Sequence, residues 1–153
     1  MSDLELILPT NKKLSFSLGD SPEFLVEFEE PEEIDADKEM NRVYWIYRKK
    51  YGMDFLFENN KLTNLFLYKK CSEYMGFSGS FSLLPIEYFN NYNKEEFVDH
   101  LKRKGFIVHP KKYPFSLDMI DDNYRLRYHE RPDNFYISFN NGNLIRDTLK
   151  KED

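Results

Sequence analysis

The segment "FLFENNKLTNLFLYKK", from Phe55 to Lys70, decides the fold class, because two apolar runs meet there at an Asn-Asn pair. Asn tolerates the positive φ angles that a tight hairpin turn requires. The chain also contains 14 Phe and 11 Tyr, which pack well on the half-buried surface of a sheet. The segment therefore predicts an antiparallel β-hairpin.

A second segment, "ISFNNGNLIRDTLKK" from Ile137 to Lys151, has the same pattern and predicts a second hairpin. An aromatic strand precedes each hairpin, "VYWIY" at 43–47 and "YRLRY" at 124–128. In the latter, apolar and aromatic residues alternate with arginines, which predicts a strand with one face in water. The recurrence predicts a duplicated chain, with pseudo-repeats at 1–72 and 73–153, although chance resemblance between two hairpins is the alternative.

Helix-start signals precede both strand regions, at Ser21-Pro22-Glu23 and at Asn93. Ser and Asn can cap the first free amides, and Pro is tolerated at the first helical position. The second helix is the better defined, because it carries apolar residues on one face and ends at Gly105. We therefore predict one α+β domain over residues 1–153, with two αβββ-like pseudo-repeats whose helices pack on a largely antiparallel sheet.

The composition predicts a folded protein of the cytoplasm. Hydrophobic residues make up 41% of the 153 residues, which is too many for a disordered chain. The first ten residues lack the basic start and the long apolar core of a secretory signal. No stretch approaches the 18 or so apolar residues that a membrane span needs, so no membrane association is expected. Cys71 has no second cysteine to pair with and is predicted to be a buried apolar residue.

Residues that could carry chemistry are sparse. His100, His109 and His129 have no companion at the spacing of a metal site, and the six glycines form no phosphate-binding loop. We therefore predict no catalytic residue, no metal and no cofactor. Basic and aromatic residues alternate in "YWIYRKKYG", but the net charge of −5 argues against direct binding of nucleic acid.

Negative charge is concentrated between residues 20 and 39, where ten carboxylates face a single lysine. One interpretation is a mobile, solvated loop that follows a helix at 21–28 and a break at Pro31. The other is an electrostatic docking surface, because a concentrated negative field accelerates association with a basic partner. The predicted contact residues are Glu29, Glu30, Glu32, Glu33, Asp35 and Asp37, with a second cluster at Asp118, Asp121 and Asp122. That second cluster has a simpler interpretation as a loop between strands.

The "FENNKLTNLFLY" hairpin, the Leu-Pro pairs at 8–9 and 84–85, the helix "NKEEFVDHLKRKGF" and the final "DNFYISFNNGNLIRDTL" segment together resemble a known class of protein. They resemble the small immunity proteins encoded beside bacterial toxins, particularly those of contact-dependent growth inhibition and related polymorphic toxin systems. The resemblance implies a protein that binds the C-terminal domain of a delivered toxin, frequently a nuclease, and blocks its active site or substrate path.

Two other functions stay open from the sequence. The first is a small enzyme whose site is assembled from dispersed residues such as Tyr128, His129 and Glu130. A pocket that holds a histidine with a shifted pKa would favour it. The second is an adaptor or regulatory protein that binds through an exposed sheet edge.

Overall fold

The protein's structure, a computed structural model, describes residues 4–9, 11–68, 76–82, 94–103, 105–110, 116–120, 124–131 and 134–141. These residues form eleven strands and two helices. In chain order they are β1 (Leu4–Ile7), β2 (Lys13–Phe16), α1 (Glu23–Val26), β3 (Glu33–Asp37), β4 (Arg42–Tyr47), β5 (Met53–Glu58), β6 (Lys61–Tyr68), β7 (Ser80–Phe81), α2 (Lys94–Arg103), β8 (Ile107–Pro110), β9 (Ser116–Ile120), β10 (Tyr124–Arg131) and β11 (Asn134–Asn141).

The strands form two antiparallel sheets. The larger has eight strands in the order β3-β4-β5-β6-β11-β10-β9-β8, and the smaller has three in the order β2-β1-β7. The large sheet consists of two four-stranded meanders, β3 to β6 and β8 to β11, which meet where β6 pairs with β11. The central register sets Leu67 opposite Ile137 and Leu65 opposite Phe139.

The predicted α+β class is wrong, because the described residues are mostly β, with 60 residues in strands against 14 in helices. Two short helices do not form a layer that could cover an eight-stranded sheet. The sequence analysis also missed several strands, including β3 and the small sheet. Its expectation of two αβββ-like units with helices packed on the sheet is replaced by sheet packed on sheet.

The hairpin from Phe55 is confirmed as β5 and β6. Asn59 and Asn60 have φ angles of 52° and 63°, the left-handed conformation that a two-residue hairpin turn needs and that Asn tolerates. Leu56 pairs with Asn64 and Phe57 with Leu62, so Thr63 is an extra residue that marks a bulge in β6. The local sequence therefore determines both the turn and its position.

The second predicted hairpin is only partly described. Its first arm is β11, but β11 pairs with β10 on one side and with β6 on the other. No side of β11 is left for a second arm, so the predicted hairpin is wrong, although residues 142–151 themselves lie outside the described residues. The Leu84-Pro85 pair and Cys71 also lie outside them. The duplication stays a prediction. If the two meanders are copies of each other, the strand order makes β5 equivalent to β10 and β6 equivalent to β11. The sequence similarity instead makes β5 equivalent to β11.

One face of the large sheet and the small sheet share a single hydrophobic core. Phe55, Phe57, Leu65 and Ile137 of the large sheet are buried in one cluster with Leu6 and other residues of β1 and β2. Aromatic rings fill much of it, and α1 contributes Phe24, whose ring stacks on Phe16 at 5.1 Å. Aromatic pairs of this kind contribute stability beyond their buried area.

Both helices are short, and they end differently. Helix α1 covers four residues where eight were predicted, and no side chain caps its first turn. Helix α2 ends as predicted, with Gly105 at a φ of 101°. The amide of Gly105 donates to the carbonyl of Lys102 and that of Phe106 to the carbonyl of Leu101, both at 3.0 Å. This is the pattern of a Schellman cap.

The two halves of the chain also meet in the small sheet, where β7 pairs with β1. A Cβ atom at Gly79 would lie 1.9 Å from the carbonyl oxygen of Ile7. Only glycine permits this approach, because any side chain would collide with the backbone of β1. No helix in the described parts of the chain is long and apolar enough to cross a membrane.

Candidate partner-binding surface

Strand β3 lies at one edge of the large sheet. All five of its residues are exposed. Glu33, Asp35 and Asp37 alternate with Ile34 and Ala36, so the carboxylates lie on one face of the sheet and the two apolar residues on the other. We call Glu33–Asp37 the acidic edge.

The register shows which face is which. Ile34 lies opposite Trp45 on the core side of the sheet, and Asp35 lies opposite Tyr44 on the other side. Ile34 is nevertheless 51% exposed, because no strand lies beyond β3 among the described residues. The edge thus presents a row of carboxylates on one face and an uncovered isoleucine on the other.

Local hydrogen bonds hold β3 in place at both ends. At its start, the amide of Glu32 donates to the carbonyl of Ile46 at 2.9 Å. At its end, Asp37 Oδ1 accepts the amides of Glu39 and Met40 at 3.1 and 3.2 Å, which closes the turn into β4. Residues 33–37 therefore form a strand, and the interpretation of this segment as a loop is wrong for these five residues, although all of them are exposed to solvent as expected.

Glu29 lies within the acidic block but does not offer a free carboxylate. Its Oε1 atom accepts hydrogen bonds from Tyr51 Oη at 2.6 Å and Lys12 Nζ at 3.1 Å, and its Oε2 atom accepts one from Lys50 Nζ at 3.0 Å. Its backbone carbonyl accepts Tyr47 Oη at 2.9 Å. These contacts attach the segment after α1 to the turn between β1 and β2, which contains Lys12, and to the turn between β4 and β5, which contains Lys50 and Tyr51.

The electrostatics of this cluster follow from its geometry. The hydrogen bond from Tyr51 is the main cause that lowers the pKa of Glu29 to about 2, with Lys50 and Lys12 adding to it and partial burial opposing it. The hydrogen bond with Glu29 in turn raises the pKa of Lys50. Burial raises the pKa of Tyr51, and its hydrogen bond to Glu29 adds to this. The pair Glu29 and Lys50 is therefore charged at any physiological pH.

The other predicted contact residues of the block divide into two groups. The carboxylate of Glu32 accepts the amides of Lys49 and Lys50 at 3.0 to 3.1 Å, so it stabilises the β4–β5 turn. By contrast, Glu30, Glu33 and Asp35 are exposed, and their side chains make no hydrogen bond or ion pair in the part of the chain that the structure describes. These three are the carboxylates available to a partner.

The second predicted acid cluster does not share a patch with the first. Asp118 lies in β9, opposite Arg127 and His109, and its side chain is outside the described part, as are residues Asp121 and Asp122 altogether. Five strands separate β9 from β3. At about 4.8 Å between strands the two clusters lie roughly 30 Å apart, too far to form one contact point.

Sequence analysis missed a buried charged cluster on the face of the large sheet opposite the core. Asp54 is 0% exposed and accepts hydrogen bonds from Arg48 Nε at 3.0 Å, Tyr68 Oη at 2.7 Å and the amide of Tyr47 at 3.3 Å. Burial raises the pKa of its carboxyl, and the hydrogen bonds from Arg48 and Tyr68 oppose that shift. The available signal was one acid inside the apolar run "MDFLF".

That face is also drier than the sequence suggested. Arg125 of β10 was expected in water, yet it is only 7% exposed, and Ser138 of β11 is buried as well. The prediction of a wet face on this strand is therefore wrong for Arg125.

The residues of the enzyme alternative give no described site. Tyr128, His129 and Glu130 are consecutive in β10, and their side chains, like that of His109, lie outside the described part. His100 lies in α2. Within the described ranges, no group of three or more His, Cys, Asp or Glu residues is arranged to hold a metal ion.

No family model, no curated protein and no solved structure matches this chain. The proposed function therefore rests on the geometry of the acidic edge.

Proposed function

We propose that this protein is a non-catalytic immunity protein, which binds the C-terminal domain of a cognate bacterial toxin and blocks its active site or substrate path. The observation that supports it is the acidic edge, a strand whose five residues are all exposed, with available carboxylates at Glu33 and Asp35. The partner is a basic domain, and a nuclease is the class that fits best, because a nuclease must carry positive charge to bind phosphates.

The charge of the edge acts mainly on association. Carboxylates of one sign on an exposed surface attract a positively charged partner over a distance of roughly a Debye length, about 10 Å at 0.1 M salt. Such steering raises association rates by about 10- to 1,000-fold. Glu30, Glu33 and Asp35 supply this field, while Glu29 and Glu32 stabilise the surface that carries it.

The experiment is co-expression with the toxin domain encoded by the adjacent upstream reading frame, followed by stopped-flow association of the purified proteins. We expect rescue from killing, a 1:1 complex, and an association rate that falls at least about tenfold from about 0.05 M to about 0.5 M salt. Neighbouring frames that are not toxic, or a toxin that still kills, would refute the immunity function. A salt-independent rate would refute the acidic dock.

The double variant Glu33→Lys/Asp35→Lys should slow association by about tenfold while leaving the circular dichroism spectrum unchanged. Its matched control is Glu23→Lys/Glu27→Lys, which makes the same change of net charge at two exposed residues near α1, outside the acidic edge. The control should slow association by about twofold or less. Equal effects of the two pairs would show that net charge, and not the acidic edge, steers the partner.

A further inference from the structure

The outer side of β3 is an open sheet edge. Every strand exposes backbone N–H and C=O groups on both sides, and β3 has a strand partner on one side only among the described residues. Proteins usually protect such an edge with charged side chains, especially lysine, or with proline, a bulge or a covering segment. The charges of β3 are all carboxylates, which repel an acidic strand but attract a basic one. Between residues 33 and 37 there is no lysine and no proline, and the register with β4 is regular.

The alternation of β3 limits what can pair with it. Two copies of β3 side by side would bring carboxylates of both strands together on one face, which is destabilising for directly opposed like charges. A strand with lysine or arginine at every second position would instead place cations opposite Glu33 and Asp35. Asp37 contributes less, because its carboxylate already closes the turn and Arg42 lies opposite it.

The opposite face of the edge favours apolar residues in the same partner strand. Ile34 is exposed there beside Trp45, which packs partly against the core. An apolar residue next to Ile34 would remove its surface from water, which stabilises a complex in proportion to the apolar area buried.

We infer that β3 accepts an extended segment of the partner protein as a ninth strand, one in which lysine or arginine alternates with apolar residues. The open backbone edge provides the hydrogen bonds, and the alternation of β3 selects the charge and the face of the added strand. The identity of that partner as a toxin domain rests on the proposed function. The mode of binding does not, because it follows from the edge itself.

A second copy of this chain is the competing occupant. The other edge of the large sheet is β8, where Ile107 is 64% exposed and the exposed Lys102 and Arg103 lie just before it in the chain. Pairing of β3 with β8 of another molecule would join unlike edges and build a ring or an open filament. Pro110 weakens this pairing, because proline lacks the N–H that a ladder needs.

The probe is a labelled peptide of alternating Lys and Val, nine residues long, added to the intact protein. Two control peptides carry the same charge. In one, Pro replaces each Val, so that the peptide cannot pair as a strand; in the other, the lysines and valines are grouped in two blocks. Fluorescence anisotropy measures binding, and amide hydrogen exchange measures protection of residues 33–37.

We expect the alternating peptide to bind at least about tenfold more tightly than either control and to slow amide exchange in β3. Glu33→Lys/Asp35→Lys should weaken its binding by about tenfold, since two favourable cross-strand pairs become repulsive. The control Glu23→Lys/Glu27→Lys should change it by about twofold or less. Equal binding of the Lys-Pro peptide, or binding without protection of β3, would overturn the inference.

Self-association of the protein without peptide, accompanied by protection of both β3 and β8, would also overturn it in favour of the second copy. The two proposals fail separately. If the amides of residues 33–37 exchange as fast in the toxin complex as in the free protein, the added strand is refuted and the immunity function still stands. If the protein binds the alternating peptide but rescues no cell from the neighbouring toxin, the immunity function is refuted and the added strand still stands.

Discussion

At the scale of single residues, two acids of the first half of the chain have opposite environments. Asp54 is fully buried, and its carboxylate depends on Arg48 and Tyr68 for hydrogen bonds. Glu29 is partly exposed and has a phenol and two ammonium groups as donors. Burial is the main influence on Asp54 and raises its pKa. Hydrogen-bond donors are the main influence on Glu29 and lower its pKa.

Glu29→Gln tests the second environment. A carboxyl with a lowered folded pKa contributes stability above its unfolded pKa of 4.5 and loses it as the pH falls towards about 2. The free energy of unfolding of the variant should therefore be lower by about 1 kcal/mol at pH 7, a value that is reduced because Glu29 is partly exposed to solvent. The difference should shrink as the pH falls through 4 and nearly vanish at pH 2, as measured by urea unfolding. A difference that does not change with pH would contradict the assigned pKa.

At the scale of elements, the β5–β6 hairpin shows how far local sequence determines structure. The turn needs two residues in the left-handed region, and Asn59 and Asn60 both adopt it. The register then sets Phe55 opposite Leu65, and both side chains are buried in the core. Local conformational preference and burial thus favour the same hairpin, which is why this element was predicted correctly.

Substitution at Asn60 tests the turn. Asn60→Ala should lower the free energy of unfolding by about 1 kcal/mol, because Ala lacks the local side-chain hydrogen bonds with which Asn offsets the cost of a Cβ atom at positive φ. Asn60→Gly should be neutral or raise it by a few tenths of a kcal/mol, since Gly adopts this conformation without strain. Lys61→Ala, next along the chain at an exposed position, is the control and should change it by less than about 0.5 kcal/mol. Equal losses for both alanine variants would contradict the turn conformation.

At the scale of the whole molecule, neither half of the chain completes its own sheets. Strand β6 pairs with β11 in the large sheet, and β1 pairs with β7 in the small one. The core cluster likewise includes Phe55 from the first half and Phe139 from the second. The two predicted pseudo-repeats therefore share one core.

We expect the full chain to unfold in urea in a single transition, with an m value of roughly 2 kcal/mol per M. Trp45 fluorescence reports on the first half and circular dichroism on both, so the two curves should coincide. Fragments 1–72 and 73–153 expressed alone should not fold, because each exposes a central strand edge and half of the core. Two resolved transitions, or a fragment with dispersed amide resonances, would instead indicate two independent domains.

The functional surface was predictable only in part. The concentration of acids pointed to residues 29–37, and the period of two in "EIDAD" is typical of a strand, although three of its five residues are charged. The sequence could not predict which of these acids bind groups of the protein itself and which are available to a partner. Whether Glu29 and Glu32 bind the protein's own lysines and amides depends on turns that lie 17 or more residues away in the chain.

The sequence by itself determined the features that arise between near neighbours: the Asn-Asn turn, the glycine end of α2 and the alternation of β3. Only the tertiary structure decided that β6 pairs with β11, that Asp54 and Arg125 are buried, and that β3 forms an edge. The physical reason is that turns and caps depend on the conformational preferences of a few adjacent residues. Burial and strand order depend on which distant segments together remove the most apolar surface from water while pairing their backbone groups.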